Sequence, residues 1–158
     1  MSEHTKILSE HTKILKDHGN TLKWLKSAFM EIKYTMGVRF ESVIRRYLER
    51  YLRDINLLPK DKKLVAKVIK YEDKSIEINI FCENPLILGE VTAFMHFTDE
   101  FRAMIKKFDL VEKILGKKAK MKIVFIGGID CDTQKEVVKL AKEKGIELII
   151  GEVVEVEL

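Results

Sequence analysis

The chain has 158 residues, of which 46% are hydrophobic and 34% are charged, and its formal net charge is +4 at neutral pH. This length suits one compact domain with an appendage. Because the sequence has no long apolar run and no amino-terminal signal pattern, we expect a soluble, cytoplasmic protein that does not enter a membrane. Two distant cysteines argue against a disulfide framework or a zinc site, and abundant lysine, glutamate and isoleucine beside a single glutamine are typical of thermophiles.

Residues 1–34 carry a repeat with the period of a coiled coil. SEHTKIL at 2–8 is followed at once by the same seven residues at 9–15, and the pattern continues more loosely beyond them. One core position of this heptad holds Leu8, Leu15, Leu22 and Phe29. The other core position holds His4, His11, His18, Leu25 and Ile32. Because no second long heptad segment exists to fold back on this helix, we expect a homo-oligomer formed through the coiled coil.

The histidine column at one core position of the coil has two interpretations. Polar residues at core positions set the register of a coiled coil and weaken it locally, which is the structural interpretation. Alternatively, stacked imidazoles from several chains bind a transition metal, or repel one another when they are protonated. Oligomer mass measured across mildly acidic pH separates the two.

Residues 35–158 are predicted to form a second domain, which begins with a helix. The segment at 35–59 carries apolar side chains at helical spacing, and Pro59 ends the helix soon after Leu58. Three strands follow in hairpin succession, KKLVAKVIKY, SIEINIFC and LILGEVTAF, with turns at EDKS and ENP.

The remainder of the domain alternates helices with strands. A helix is predicted after Thr98, with Asp99 and Glu100 in its first turn, and it ends at Gly116. MKIVFIGG is predicted to be a fully buried strand, and Thr133 with Glu136 a capping box that opens the next helix. IELIIGEVVEVEL is predicted to be the last strand. The order αβββαβαβ predicts an α/β fold with a mixed central sheet.

Two of the strands place polar side chains on one face of the sheet. Strict alternation puts the isoleucines of IEINIFC at 76, 78 and 80 on one face, and Glu77 and Asn79 on the other. Glu90 and Thr92 share a face of LILGEVT, and pairing as a hairpin brings Glu90 near Glu77 and Asn79. Facing carboxylates are destabilising unless a metal, a proton or a cation separates them, so these residues predict a site. The alternative is an ordinary solvated sheet face.

The element order and these motifs, over roughly the last three quarters of the chain, resemble the PD-(D/E)XK nuclease superfamily, in particular archaeal members with an amino-terminal coiled coil. The resemblance implies a restriction-endonuclease-like core in which a helical glutamate, a strand aspartate and a (D/E)xK tripeptide bind a divalent metal. Glu41 in GVRFES matches the helical glutamate, Asn79 stands at the aspartate, and Glu90 and Thr92 in GEVT stand at the acidic and lysine positions. The implied metal ligands are Glu41, Asn79 and Glu90, with Glu77 as a substitute. The implied cofactor is Mg²⁺ or Mn²⁺ if the site is active, and otherwise none.

Two departures from this pattern predict weak or lost hydrolysis. Asn79 supplies a neutral oxygen where Mg²⁺ prefers a charged one. Thr92 supplies only a hydroxyl dipole where a lysine would orient the attacking water and offset charge on the phosphate. A lysine from elsewhere in the chain, such as Lys74 or Lys122, could take that role. Glu41 has the alternative of pairing with Arg45 one helical turn away.

Arginines crowd the helix that opens the second domain, interleaved with tyrosines. The candidate nucleic-acid contacts are Arg39, Arg45, Arg46, Arg50 and Arg53. Their alternative is a solvated helix face whose tyrosines are core residues. The glycines of FIGGID, Gly127 and Gly128, are predicted to form a tight strand-to-helix turn, and a nucleotide site there is a weaker interpretation.

The sequence therefore favours a nuclease-like, DNA-directed protein that binds nucleic acid, with weak or lost metal-dependent phosphodiester hydrolysis. The alternative is a non-catalytic coiled-coil adaptor that assembles proteins on a degenerate nuclease scaffold. A DNA binder loses affinity steeply as salt rises, whereas an adaptor is not retained on DNA at any salt concentration. A small-molecule enzyme that uses the Gly127 turn ranks third.

Overall fold

The structure, a computed structural model, describes residues 40–156, so the predicted coil at 1–34 and Arg39 lie outside the described residues. The described part has an α/β fold with three helices and a five-stranded mixed sheet, which confirms the predicted class. The helices are α1 (Phe40–Asp54), α2 (Thr98–Leu115) and α3 (Cys131–Lys144). The strands are β1 (Val65–Tyr71), β2 (Lys74–Cys82), β3 (Ile87–Met95), β4 (Met121–Asp130) and β5 (Glu147–Val154).

The sheet follows chain order, β1-β2-β3-β4-β5, and changes from antiparallel to parallel pairing at β3. The first three strands are joined by short turns, and β1–β2 and β2–β3 pair antiparallel. Helices α2 and α3 carry the chain back across the sheet, so β3–β4 and β4–β5 pair parallel. Strand β4, which lies between β3 and β5, is almost entirely buried, as a strand covered by helices on both faces should be.

Two core layers hold the sheet between its helices. The layer between α1 and the sheet contains Ile44, Leu48, Leu52, Ile80, Ile87 and Ile123. The layer between the sheet and α2 with α3 contains Phe101, Phe108, Val137, Leu88, Val124 and Ile126. Burial of each such side chain contributes about 1.5–3 kcal/mol. Within residues 40–156 no helix has the length and apolar character needed to cross a membrane.

The helix starts predicted at Thr98 and at the capping box of Thr133 and Glu136 are wrong, whereas α2 ends at Gly116 as predicted. Thr98 lies inside α2, and its hydroxyl donates to Oε2 of Glu136 on α3 at 2.7 Å. Helix α3 begins two residues before Thr133, and its N-cap is Asp130, which accepts the Thr133 N–H at 2.8 Å. The Thr133 hydroxyl donates to the backbone oxygen of His96 at 3.0 Å. These side chains therefore join α3 to the region where α2 starts.

The tight turn predicted at Gly127 and Gly128 is also wrong. Both glycines lie within β4, and Gly128 pairs with Phe94 of β3 and with Glu152 of β5. The strand continues to Asp130, and α3 follows at the next residue. The glycines therefore form no loop in which a phosphate could be held.

Candidate functional site

A β-bulge in strand β2 shapes the candidate site. The pairing of β1 with β2 shifts by one residue between Val65 and Lys67, so Asn79 and Ile80 together face a single residue of β1. Ile78 consequently packs in the layer of α2 and α3, whereas Ile80 packs in the layer of α1. The prediction that the three isoleucines of this strand share one face is therefore wrong.

Beyond the bulge, side chains replace the backbone bonds that would join β2 to β3. The regular pairing of these strands extends from Cys82 only as far as Ile80. At the next position the Asn79 N–H donates to Oε2 of Glu90 at 3.1 Å, and the Val91 N–H donates to Oδ1 of Asn79 at 2.9 Å. Arg45 of α1 donates to the backbone oxygen of Asn79 at 2.9 Å. The strands separate here, and their polar groups remain satisfied.

Glu90 is a buried carboxylate with a lysine partner. Glu90 is 3% exposed, and its Oε1 accepts a hydrogen bond from the ammonium of Lys107 on α2. Burial raises the pKa of Glu90, while the Lys107 hydrogen bond and charge and the Asn79 N–H lower it, and the charge of Glu77 raises it further. The net shift of the pKa is upward. The Lys107 side chain is 34% exposed, so this pair lies at the boundary between core and solvent.

An open cleft of about 360 Å³ lies above this pair, between β2, β3 and α2. Its polar lining includes Glu77, Asn79, Glu90, Thr92, Glu100 and Lys107. Four of the residues that the sequence singled out are thus brought together. Glu77 is exposed, and the Thr92 hydroxyl donates to the backbone oxygen of Phe94 at 3.3 Å.

Glu41 does not line this cleft. It lies in the first turn of α1, one helical turn before Arg45. The ion pair considered between the two is replaced by the Arg45 contact with Asn79, because Arg45 is directed to the bulge. The structure thus joins α1 to the site through an arginine.

The lysine of the site was missed by sequence reasoning. Lys122 lies 3.6 Å from Glu112, and Lys74 pairs with Tyr71 at the exposed end of the β1–β2 hairpin, so neither stands beside Glu90. Lys107 does, although it is seventeen residues away in sequence. Its signal in the sequence is helical spacing, since Glu100 and Lys107 lie two turns apart and so on one face of α2.

The predicted nucleic-acid arginines separate into two kinds. Arg53 is structural, since it pairs with Glu49 at 2.9 Å and donates to the backbone oxygen of Lys62 at 2.7 Å. Arg45 is engaged with strand β2, as described above. Arg46 and Arg50 are exposed on α1.

The side-chain oxygens of Glu90 and Asn79, which a divalent cation would need as ligands, accept hydrogen bonds from the protein itself. Among residues 40–156 there is no group of three or more His, Cys, Asp or Glu side chains arranged to hold a metal. The amide oxygen of Asn79 accepts the Val91 N–H, and the oxygen of Glu90 that faces α2 carries the ammonium of Lys107. The ammonium of Lys107 therefore occupies one of the two oxygens through which a metal would contact Glu90.

Comparison of the chain with protein-family models, with curated proteins and with solved structures found no match. The geometry of the cleft and the charges around it are therefore the basis for the function proposed below.

Proposed function

We propose that this protein is a nuclease-like protein that binds nucleic acid beside the cleft and that has weak or no metal-dependent phosphodiester hydrolysis. The observation that carries the proposal is the grouping of Glu90, Asn79, Glu77 and Lys107 in one open cleft. An acid, an amide and a lysine at the point where two strands separate form a degenerate version of the acid, acid and lysine set of PD-(D/E)XK nucleases.

The arrangement of the elements supports this interpretation. The described part contains one helix, three antiparallel strands, a crossover helix and a parallel strand in succession, followed by a further helix and strand. The nuclease-like core that the sequence resembles has the same succession. The bulge at Asn79 lies at the strand position that the resemblance assigns to the site, and bulges are common beside functional sites because they redirect side chains.

The chemistry of the cleft supports weak or lost hydrolysis. Efficient metal-dependent hydrolysis needs a cation that activates water and stabilises the charge developing on the phosphate. Glu90 is already neutralised by Lys107, and the Thr92 hydroxyl is bonded to its own strand. Neither group is free to position a metal-bound water in this arrangement.

Exposed cations near the cleft support nucleic-acid binding. Lys106 is exposed and lines the groove that continues the cleft beside Ile76 and Glu77. The β1–β2 hairpin adds exposed lysines, which are Lys67, Lys70 and Lys74. Lysines along a groove neutralise phosphates and release counterions, which gives affinity without sequence specificity.

Titration of labelled duplex and branched DNA with the full chain tests the proposal. We expect binding at low salt, with the logarithm of the affinity falling linearly with the logarithm of salt concentration. Lys106→Ala should weaken binding and reduce the slope by about 1, because one phosphate contact is lost. Lys139→Ala is the matched control, since this lysine is exposed on α3 away from the cleft, and it should leave the slope unchanged.

Cleavage is measured on the same DNA with Mg²⁺ and with Mn²⁺. We expect little or no product. Rapid cleavage that disappears in Glu90→Gln would show that the site is fully active and would refute the claim of weak hydrolysis. The absence of DNA binding at low salt would refute the claim of nucleic-acid binding.

The exposed apolar residues of β1 favour a second candidate function, that of an adaptor. β1 is an edge strand, and Val65 is 44% exposed, Val68 54% and Tyr71 37%. An edge strand with apolar side chains suits pairing with a strand of another protein. The salt titration separates the two candidates, because an adaptor is not retained on DNA even at low salt.

A further inference from the structure

The buried carboxylate of Glu90 needs a positive partner in the folded protein. A carboxylate that is 3% exposed loses most of its hydration, and one removed from water stays charged only when hydrogen bonds or a cation compensate it. The Asn79 N–H serves one oxygen and the Lys107 ammonium serves the other. Both oxygens of the group are therefore engaged by the protein itself.

The other charged side chains that line the cleft with Glu90 and Lys107 are negative. Glu77 of β2 and Glu100 of α2 line the same cleft, and Glu100 accepts the backbone N–H of His96 at 3.2 Å. In a metal-dependent site such a set of carboxylates would be balanced by a divalent ion. Of the side chains that line the cleft, Lys107 is the one that carries positive charge.

The position of Lys107 excludes a second cation at the same oxygen. Like charges at contact distance repel strongly in a partly buried site, and a divalent ion doubles the effect. The lysine is placed by packing as well as by charge, because Ile105 and Phe108, which flank it in the same turn of α2, are buried in the core.

We infer that Lys107 takes the place of the divalent cation in this site, so that the ammonium must leave before a metal ion can bind Glu90. The inference rests on the proposed function only in treating Glu90 as the acidic group of a nuclease-like site. Its readout is cation binding by the protein alone, so it can fail while nucleic-acid binding stands, and the reverse also holds.

Calorimetric titration of the full chain with Mn²⁺, supported by electron paramagnetic resonance of the free ion, tests the inference. Lys107→Gln removes the charge and keeps a hydrogen-bond donor, and we expect it to bind Mn²⁺ about tenfold or more tightly than the unaltered protein does. Lys107→Gln combined with Glu90→Gln should lose the gain. Lys106→Gln is the matched control, because it removes the same charge from the adjacent residue of the groove and should not produce the gain.

Thermal unfolding gives a second measurement that does not need the Lys107 variant. The unfolding temperature of the unaltered protein should be the same in Mn²⁺ and in a chelator, because Lys107 already neutralises Glu90. A rise in Mn²⁺ that vanishes in Glu90→Gln would overturn the inference, since it would show that a metal reaches Glu90 past the lysine. A Lys107→Gln variant that folds but gains no affinity for Mn²⁺ would overturn it as well.

Discussion

Glu90 combines a structural role with a chemical one. Its carboxylate closes the gap between β2 and β3 by accepting the Asn79 N–H, and it also holds Lys107 at the cleft. A buried ion pair is a weak source of stability because desolvation opposes the attraction between its charges. A buried acid with a raised pKa in an open cleft is therefore better explained by function than by stability.

The pH dependence of stability should report the environment of Glu90. The pKa of Glu90 in the folded protein is raised, so the folded state holds this proton more tightly than the unfolded state does. The stabilising contribution is therefore full below the unfolded pKa and is lost as pH rises through the folded pKa. We expect the free energy of unfolding, relative to that of Glu90→Gln, to increase as pH falls from 7 towards 4.5.

Urea denaturation of the unaltered protein and of Glu90→Gln over this pH range measures the difference. All other titrating groups that are unaffected by the substitution cancel in the subtraction. Parallel pH profiles for the two proteins would contradict a raised pKa.

Gly89 precedes Glu90 and is required by close packing. A Cβ built at this position would lie 2.9 Å from Cβ of Ile80 and 3.0 Å from Cγ2 of Ile123. Both contacts involve branched, buried side chains next to the backbone that cannot easily move. Gly89→Ala should therefore destabilise the protein by about 1–3 kcal/mol. A chemical denaturation midpoint within error of the unaltered protein would show that the strands can separate at no cost.

At the scale of single residues, the sequence could indicate which acids belong together but not their cation. Glu77 and Glu90 lie on successive strands, so hairpin pairing alone places them near each other. Lys107 reaches them only because α2 packs over the sheet, and the alternation of a strand contains no information about that packing. The helical spacing of Glu100 and Lys107 was the available signal.

At the scale of elements, the bulge in β2 explains why strand alternation did not predict which face of the sheet each isoleucine occupies. An isoleucine stands at 76, at 78 and at 80, and both faces of the sheet are covered by helices. Either side of the strand can therefore bury an isoleucine, and the hydrophobic pattern does not distinguish a regular strand from one with an extra residue. The bulge is stabilised by the side-chain hydrogen bonds of Asn79 and Glu90, which join two strands and so cannot be read from the pattern of one strand.

Helix starts were mispredicted for a related reason. Thr98, Thr133 and Asp130 are all good capping residues by type. In the folded protein the Asp130 carboxylate caps α3, while both threonine hydroxyls bond to groups on other elements. Tertiary partners thus decide which of several equivalent polar residues becomes the cap.

Helix α1 provides a matched pair of arginines that separates stability from binding. Arg53 joins α1 to the segment before β1 through Glu49 and the backbone of Lys62, whereas Arg50 is exposed on the same helix. Arg53→Ala should lower the free energy of unfolding by about 1–3 kcal/mol, since hydrogen bonds to a charged group are lost. Arg50→Ala should leave stability unchanged and reduce the salt slope of DNA binding by about 1.

Denaturation and DNA titration of both arginine variants give the answer. Unchanged DNA binding by Arg50→Ala would remove this exposed face of α1 from the nucleic-acid surface, and unchanged stability of Arg53→Ala would refute its structural role.

At the scale of the whole molecule, both faces of the sheet are packed against helices, and β1 and β5 are the edge strands of the sheet within residues 40–156. Edge strand β1 exposes Val65 and Val68, and the far end of β5 exposes Val153 and Val154. Lysines interrupt β1 and glutamates lie along β5, and charged side chains on an edge discourage unwanted strand pairing. Charged side chains on both edge strands therefore oppose indiscriminate strand pairing between copies of the chain.

The repeat at 1–34, which is predicted to determine the oligomeric state, lies outside the described residues. Oligomer formation through this repeat therefore stays a prediction. Its heptad places Leu15 and Leu22 at the same core position, and an aspartate there would have to be buried against other chains. We expect Leu15→Asp with Leu22→Asp to lower the mass of the full chain, measured by light scattering, to that of a single chain. Ser9→Asp with Ser27→Asp adds the same charge at surface positions of the heptad and should leave the mass unchanged. Equal masses for the two double variants would show that the repeat does not form the interface.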